Sequence, residues 1–498
     1  MRKFLKNTKP KPADTALIKT DILEIIELIK KLKNNKAPGR DGITHKVIKN
    51  LPLKMIVRLQ KIFNKCLENC YFPQCWKHAI VILFEKPGTE NIMPQNWRPI
   101  SLLPSIGKLF ERIIKNRLIK HIPFIPDFQF GFRDKHNTSQ QLLRTIEFSA
   151  AALEKKKSVA VLAIDIKKAF DTVYHDGLIH KMIKYKMPDN IILIMNSFLR
   201  NRTFQVNVKG NLSSIKKIEA SVPQGSVIGP VAFNIFVSDF PTWQDNNHIT
   251  SQFADDTTIL ECAKNPNKAI ENLQSKVFDI ENWCTLYKIA LNGSKSKLLL
   301  IRRNRKPITE TIEIFDEEVE RVDELKFLGV TITHNLKWER HIEKVTTKTR
   351  QVRFQLRHLL GRKSMLDLHT KRKIYCTVLR PIFSYASPAW FPNKKSLKQK
   401  LRTTQNVTLR QIVDAPRYMR TKNIRRDLKL TSATKYLKKL NFNFHKKNMQ
   451  LNGPISTLYK RRINHNETKR SPISRIILQN SQLKEIHDKF LRENFLPP

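Results

Sequence analysis

Acidic residues are scarce in this chain. Its 498 residues hold 43 Asp+Glu against 92 Lys+Arg, a formal net charge of +49. An excess of that size repels itself unless a polyanion is the working partner, so nucleic acid leads. A membrane surface comes second, but no amphipathic basic helix or lipidation signal stands out. Cysteine is sparse, six in all, as expected of a chain kept in a reducing compartment. Cys66, Cys70 and Cys75 cluster, yet no fourth Cys or suitably spaced His completes a zinc signature, so they read as thiols on a helix and its exit. No apolar run approaches the length that spans a bilayer. The opening MRKFLKNTKPKPAD is basic and has no apolar core, which excludes a signal peptide there. These absences predict an intracellular protein, nuclear and/or cytoplasmic, not secreted and without a membrane partner.

Glycine is the most telling shortage. Only 13 occur, and most of them cluster in short segments: KAPGRDG, KPG, QFGF, PQGSVIGP, LNG and FLGV. Glycines kept in so poor a background mark turns or close backbone approaches. Hydrophobic residues make up 40%, ample for a core divided over two to four domains. Helical periodicity runs over 16–35, 53–70 and 106–122. HAIVILFEKPG is a short β-rich run ended by Pro87 and Gly88. SVAVLAI (158–164) reads as a buried strand and KKAFDTV onwards as a helix. TFQVNVKGN and SSIKKIEASV read as a hairpin turning at Gly210 and Asn211. PVAFNIFVSDF is helix or strand by periodicity alone. From about Trp338 the pattern is mostly helical and basic.

The chemistry gathers around FADD (253–256). Two adjacent aspartates repel, so Asp255 and Asp256 are either a solvated turn or the seat of something doubly positive. A strand ending in Asp165 and a hairpin turning at Asp255 and Asp256 bring three carboxylates to one sheet edge if the strands are neighbours. Three like charges raise one another's pKa values unless divalent cations neutralise them. Oxygen-only ligands suit Mg²⁺ or Mn²⁺. Two such ions bracket an in-line displacement at phosphorus, activating the attacking 3′-oxygen and steadying the leaving pyrophosphate.

The order DIKKAFD (165–171), VPQGSVIGP (222–230), FADD (253–256), LNGSKS (291–296) and FLGV (327–330) resembles the successive core motifs of reverse transcriptases. KAPGRDGI, NWRPISLLPSIGKLFERII, QFGFRDKHNTSQQL and LRPIFSYASPAW resemble the non-LTR retrotransposon type, jockey-like, over roughly residues 20–430. The resemblance implies an α+β right-hand polymerase: fingers, a palm with an antiparallel sheet, a helical thumb, and a basic helical C-terminal region. Expected boundaries are 1–75 for an N-terminal helical extension, 76–333 for fingers and palm, 334–400 for the thumb, and 401–498 for the basic region. It implies RNA template, DNA primer or target DNA, dNTPs and Mg²⁺ (or Mn²⁺) as partners. Asp165 and Asp255 become the principal metal ligands, with Asp256 the adjacent palm carboxylate.

Other positions carry over with their own alternatives. Phe170 matches an aromatic wall against the sugar's 2′-position, or is ordinary core packing. Gln224 and Gly225 match the element that touches nucleotide and template, or form a plain turn. Lys86 and Arg98 match basic fingers residues that hold the triphosphate, apt work for an ammonium and a forked guanidinium; otherwise they are solvated surface charges. Lys295 is a proton donor to departing pyrophosphate or a surface lysine. FLGV resembles the primer grip. Departures are Glu85 where relatives carry proline, and no apurinic-type endonuclease or RNase H pattern, which reads as a truncated element copy. The competing function is a non-catalytic RNA-binding remnant with the same basic surface. An intron maturase lacks its trailing segment here, and a telomerase its RNA-binding extension.

Overall fold

A run such as SVAVLAI has no polar side to turn to water, so it is stable only where both faces are covered. In the computed structural model it is the central strand of a five-stranded sheet. The structure describes residues 17–85, 96–303, 307–451, 453–460 and 470–495, with Met1, residues 4–5 and 8–10, and Met93. In chain order, helices α1 (Ile22–Lys30) and α2 (Leu53–Glu68) precede strands β1 (His78–Glu85) and β2 (Trp97–Leu102). Helices α3 (Ser105–Leu118) and α4 (Thr138–Glu154) lead to β3 (Ser158–Ile164), then to α5 (His175–Lys184), α6 (Asp189–Leu199) and β4 (Arg202–Val208). Helix α7 (Gly229–Phe236), the hairpin β5 (His248–Phe253) and β6 (Asp256–Ala263), helix α8 (Pro266–Tyr287) and β7 (Lys297–Ile301) follow. A hairpin of β8 (Glu324–Phe327) and β9 (Val330–Thr333) precedes helices that include α9 (Glu339–Gln355), α10 (Lys395–Val413), α11 (Ala433–Met449) and α12 (Pro472–Leu478).

The chain folds as two compact units. One contains residues 1–126, 166–241 and 282–291; the other contains 127–165, 242–281 and 292–498. In the first, β1 pairs antiparallel with β2 and parallel with β4. Its core is aromatic: Phe63 stacks on Phe110 at 5.2 Å, and Phe72 meets Phe198 edge to face at 5.2 Å. All four rings are fully buried, each contributing on the order of 2–3 kcal/mol by removal from water. The expected hairpin after Arg202 forms but turns one residue earlier than expected, at Lys209 and Gly210, both at positive φ, with Asn211 already paired to Val208. PVAFNIF resolves as helix α7.

In the second unit β3 lies between β6 and β7, antiparallel to both, and β5 pairs with β6. Helix α4 starts at a capping box made by Asn137 and Gln140 and packs against β5. The buried carboxylate of Glu147 on α4 accepts hydrogen bonds from Ser471 Oγ at 2.8 Å and the Ile473 N–H at 2.7 Å. The start of α12 is thereby pinned to α4, so the basic C-terminal stretch shares this unit's core.

The helix expected over KKAFDTV does not form. KKAFDTV is a series of turns, and the helix begins only at His175. Lys168 has φ 50, outside the helical region. The carbonyls a helix would use are taken from far along the chain: Phe170 C=O accepts from Val222 N–H and Val173 C=O from Ser221 N–H, each at 2.9 Å.

Candidate active site

The sheet of the second unit ends in acid. Asp165 follows β3 directly, and the hairpin turns at Ala254 and Asp255, one residue earlier than expected, so that Asp256 is the first residue of β6. Ile164 pairs with Thr257, and the same register carried on by one residue sets Asp165 opposite Asp256. The expectation that the three carboxylates share one edge rested on these strands being neighbours, and they are.

The backbone of Asp165 is held at both of its polar groups. Its N–H donates to Ser296 Oγ at 3.2 Å and its C=O accepts from the Asn292 N–H at 2.9 Å. Ser296 Oγ in turn donates to the Asn292 carbonyl at 2.8 Å, and Ser296 is fully buried. The LNGSKS turn is thus a bracket around Asp165. Sequence reading singles out only Lys295 there, which lies exposed on the turn; the holding roles fall to Asn292 and Ser296. Their signal was the motif's small polar residues, whose partner in space could not be read from spacing.

The Asp256 carboxyl is pushed up to about 6, first by desolvation over the packed sheet and then by the charges of Asp255 and Asp165. The side chain still reaches solvent, so burial and repulsion act on a group open to a counter-ion. Among the described residues no three His, Cys, Asp or Glu side chains close on one point as a preformed metal cage. Mg²⁺ does not require one: it keeps several waters and takes one or two carboxylates plus substrate phosphates. An oxygen-only donor set whose members repel one another fits such an ion.

A thermal prediction follows. Raised above its unfolded value of 3.8, Asp256 keeps a proton in the native state that the unfolded chain has lost. Its contribution to stability is therefore fully present below about pH 4 and declines as pH rises to about 6. At pH 7.5 in EDTA, Asp256→Asn should melt higher than wild type by about 1–3 °C. Adding Mg²⁺ should stabilise wild type and close the gap. A variant that melts lower in EDTA would show the carboxylate to be structural.

The first unit carries the nucleotide-contact candidates, described there alone. Phe170 is half-buried and its ring stacks on Phe233 with centroids 4.8 Å apart and planes at 18°. The Gln224 amide nitrogen donates to Asp171 Oδ1 at 3.4 Å, and its backbone C=O accepts from Ser101 N–H at 2.9 Å. Burial pushes the Asp171 carboxyl up, against the pull of Lys168 and the Gln224 amide. Gly225 has φ 122, and a Cβ there would lie 2.6 Å from the Ser101 carbonyl oxygen; only glycine tolerates both conditions. Phe170, Gln224 and Gly225 thus share one packed constellation. Arg98 is exposed on β2, paired with Phe84 of β1. Lys86 lies outside the described residues.

Residues 84–332 match the reverse transcriptase (RNA-dependent DNA polymerase) family. The chain belongs to that family. Membership brings with it the right-hand polymerase fold, whose α+β class the helices and sheets above display. The RNA-directed DNA polymerase from mobile element jockey of Drosophila melanogaster is 36% identical over 435 residues, 84% of this chain and 47% of the relative. The probable RNA-directed DNA polymerase from transposon BS of the same species is 34% identical over 417 residues, 82% and 46% respectively. The jockey-like resemblance read from the motifs therefore holds. The chain spans about half the length of the curated relatives it matches. Among solved structures, telomerase from Candida tropicalis with a fragment of telomeric RNA aligns at TM-score 0.40 and 12% identity over 84% of this chain and 67% of that one, a likeness too loose to inform the fold. Among the described residues no helix is long and apolar enough to cross a membrane.

Proposed function

We propose that this reverse transcriptase is the RNA-directed DNA polymerase of a jockey-like non-LTR retrotransposon, extending a primer 3′-hydroxyl on an RNA template with dNTPs and Mg²⁺ (or Mn²⁺). The observation that carries the reading is the set of three mutually repelling carboxylates at one end of the second unit's sheet, in a chain of net charge +49. Asp165 and Asp255 would hold the divalent ions, with Asp256 beside them. When bound, the ions activate the attacking oxygen and stabilise charge on the leaving pyrophosphate.

The protein's own contribution is pre-organisation. Asp165 is fixed through its backbone at Asn292 and Ser296, so its carboxylate meets an ion with little loss of freedom. Lys295, exposed on the same turn, is available to give a proton to pyrophosphate. Gln224 and Gly225 would face the nucleotide, Phe170 its sugar, and Arg98 and Lys86 its phosphates. On this reading residues 76–333 are fingers and palm, 334–400 the thumb and 401–498 a basic extension. The protein works inside the cell, where RNA template and target DNA are found.

The test is incorporation of labelled dTTP by purified protein on poly(rA)/oligo(dT). Synthesis should cease with EDTA and resume on addition of Mg²⁺ or Mn²⁺. No incorporation in either ion, from folded protein that still binds RNA, would overturn catalysis and leave an RNA-binding remnant.

A further inference from the structure

The turn that carries Asp255 and leads into Asp256 has a residue in an unfavourable conformation at its first position. Ala254 has φ 59, and it is the only one of the two loop residues with positive φ. That pattern belongs to a type II′ turn, where glycine is usual because a Cβ is disfavoured. Left to itself, an alanine would relax to negative φ and rotate the peptide plane that leads into Asp255. Something must hold it.

The side chain of Gln129 does so. Its Oε1 accepts from the Ala254 N–H at 2.9 Å, and its Nε2 donates to the Ala254 C=O at 3.1 Å. Oε1 also accepts from the Gly131 N–H at 2.8 Å. Only one orientation of the amide satisfies two N–H groups and one carbonyl, so its assignment follows from the partners. Both polar groups of the strained residue are therefore gripped by one side chain that is 1% exposed, where an unmade hydrogen bond is most costly. The neighbouring backbone runs alongside, with Phe130 N–H donating to Gln252 C=O at 2.9 Å. A Cβ on Gly131 would lie 2.1 Å from the Ala254 nitrogen, so any side chain at 131 would push the clamp off the turn.

We propose that Gln129 is a positioning residue for the Asp255–Asp256 pair. Its amide holds Ala254 in the conformation that aims the two carboxylates, and Gly131 allows the approach. The inference rests on the reading that this pair holds the catalytic ions.

The clamp and the strain predict each other, which makes a test. Gln129→Met keeps the length and bulk and loses all three hydrogen bonds. In it, Mn²⁺ affinity measured by electron paramagnetic resonance should weaken about fivefold, and kcat for dTTP incorporation should fall about tenfold, with KM for dTTP within about twofold. Ala254→Gly removes the conformational penalty at its source, so alone it should leave Mn²⁺ affinity within about twofold of wild type. Combined with Gln129→Met it should restore most of the lost affinity. A purely structural glutamine would lower the melting temperature without moving the metal titration, and glycine at 254 would restore nothing. If Gln129→Met does not fold, the double variant carries the test: Mn²⁺ affinity near wild type supports the clamp, and affinity weakened fivefold overturns it. Wild-type incorporation together with unchanged Mn²⁺ affinity in Gln129→Met would sink the positioning role and leave the polymerase reading standing. Absence of wild-type incorporation would sink the polymerase reading, and the Mn²⁺ titration would still decide the clamp.

Discussion

Asp255→Asn should reduce DNA synthesis by at least about a thousandfold, roughly 4 kcal/mol in transition-state stabilisation, while leaving RNA affinity within about twofold of wild type. The two effects separate because they depend on different charges. Synthesis needs a carboxylate beside Asp256 and near Asp165 to hold a divalent ion, and asparagine offers a neutral oxygen in the same place. RNA affinity depends on the cationic excess, which this substitution moves only from +49 to +50. Nor should folding suffer, since Asp255 is one of the charges that push the Asp256 carboxyl up and its removal relieves a repulsion. Primer extension and a filter-binding titration on the same preparation check both halves. Equal loss of synthesis and of RNA binding would mean that the acid supports the fold, and undiminished synthesis would mean that Asp255 is no ligand.

How far the sequence could be read depended on how far away each residue's partner lay. The strand Ser158–Ile164 was legible to the residue, because an apolar run covered on both faces leaves no polar register to confuse. The FADD hairpin was legible to within one residue for a similar reason, two β-prone runs meeting at a short turn, which falls at Ala254 and Asp255. The helix expected from KKAFDTV was not there, because Ser221 and Val222 donate to its carbonyls from about fifty residues downstream. Amphipathic spacing carries no trace of such a competitor. The scarcity of glycine flagged QFGF as a turn or a close backbone approach, and Gly131 lies against Ala254. Gln129 in the same segment went unmarked, since its partner is 125 positions away. In LNGSKS only the charged Lys295 carried a chemical signal, whereas the neutral Asn292 and Ser296 hold the Asp165 backbone.

Phe170→Val should lower the ratio of kcat/KM for dNTP over rNTP by at least about tenfold, about 1.4 kcal/mol of differential transition-state binding. The expectation follows from shape. A ring set against the nucleotide's sugar leaves no room for a 2′-hydroxyl, and valine removes most of that wall while remaining apolar. The rival reading, ordinary packing, makes a different claim. Phe170 is half-buried, and its ring stacks on the buried Phe233 at 4.8 Å. The stack and the partial burial mean that valine also costs stability, on the order of 1–3 kcal/mol. Stability loss alone, however, removes folded enzyme equally from both substrates and cannot change their ratio. Its signature is a lower melting temperature with activity on dNTP and rNTP falling together. The 2′-wall instead predicts near-normal dNTP incorporation, measured below the melting transition, with rNTP incorporation rising. Because the Phe170 carbonyl accepts from the Val222 N–H, a backbone contact that valine retains, the PQG segment beside it should keep its place, and KM for dNTP should stay within about threefold of wild type. An unchanged ratio with a lowered melting temperature would return the ring to its packing on Phe233.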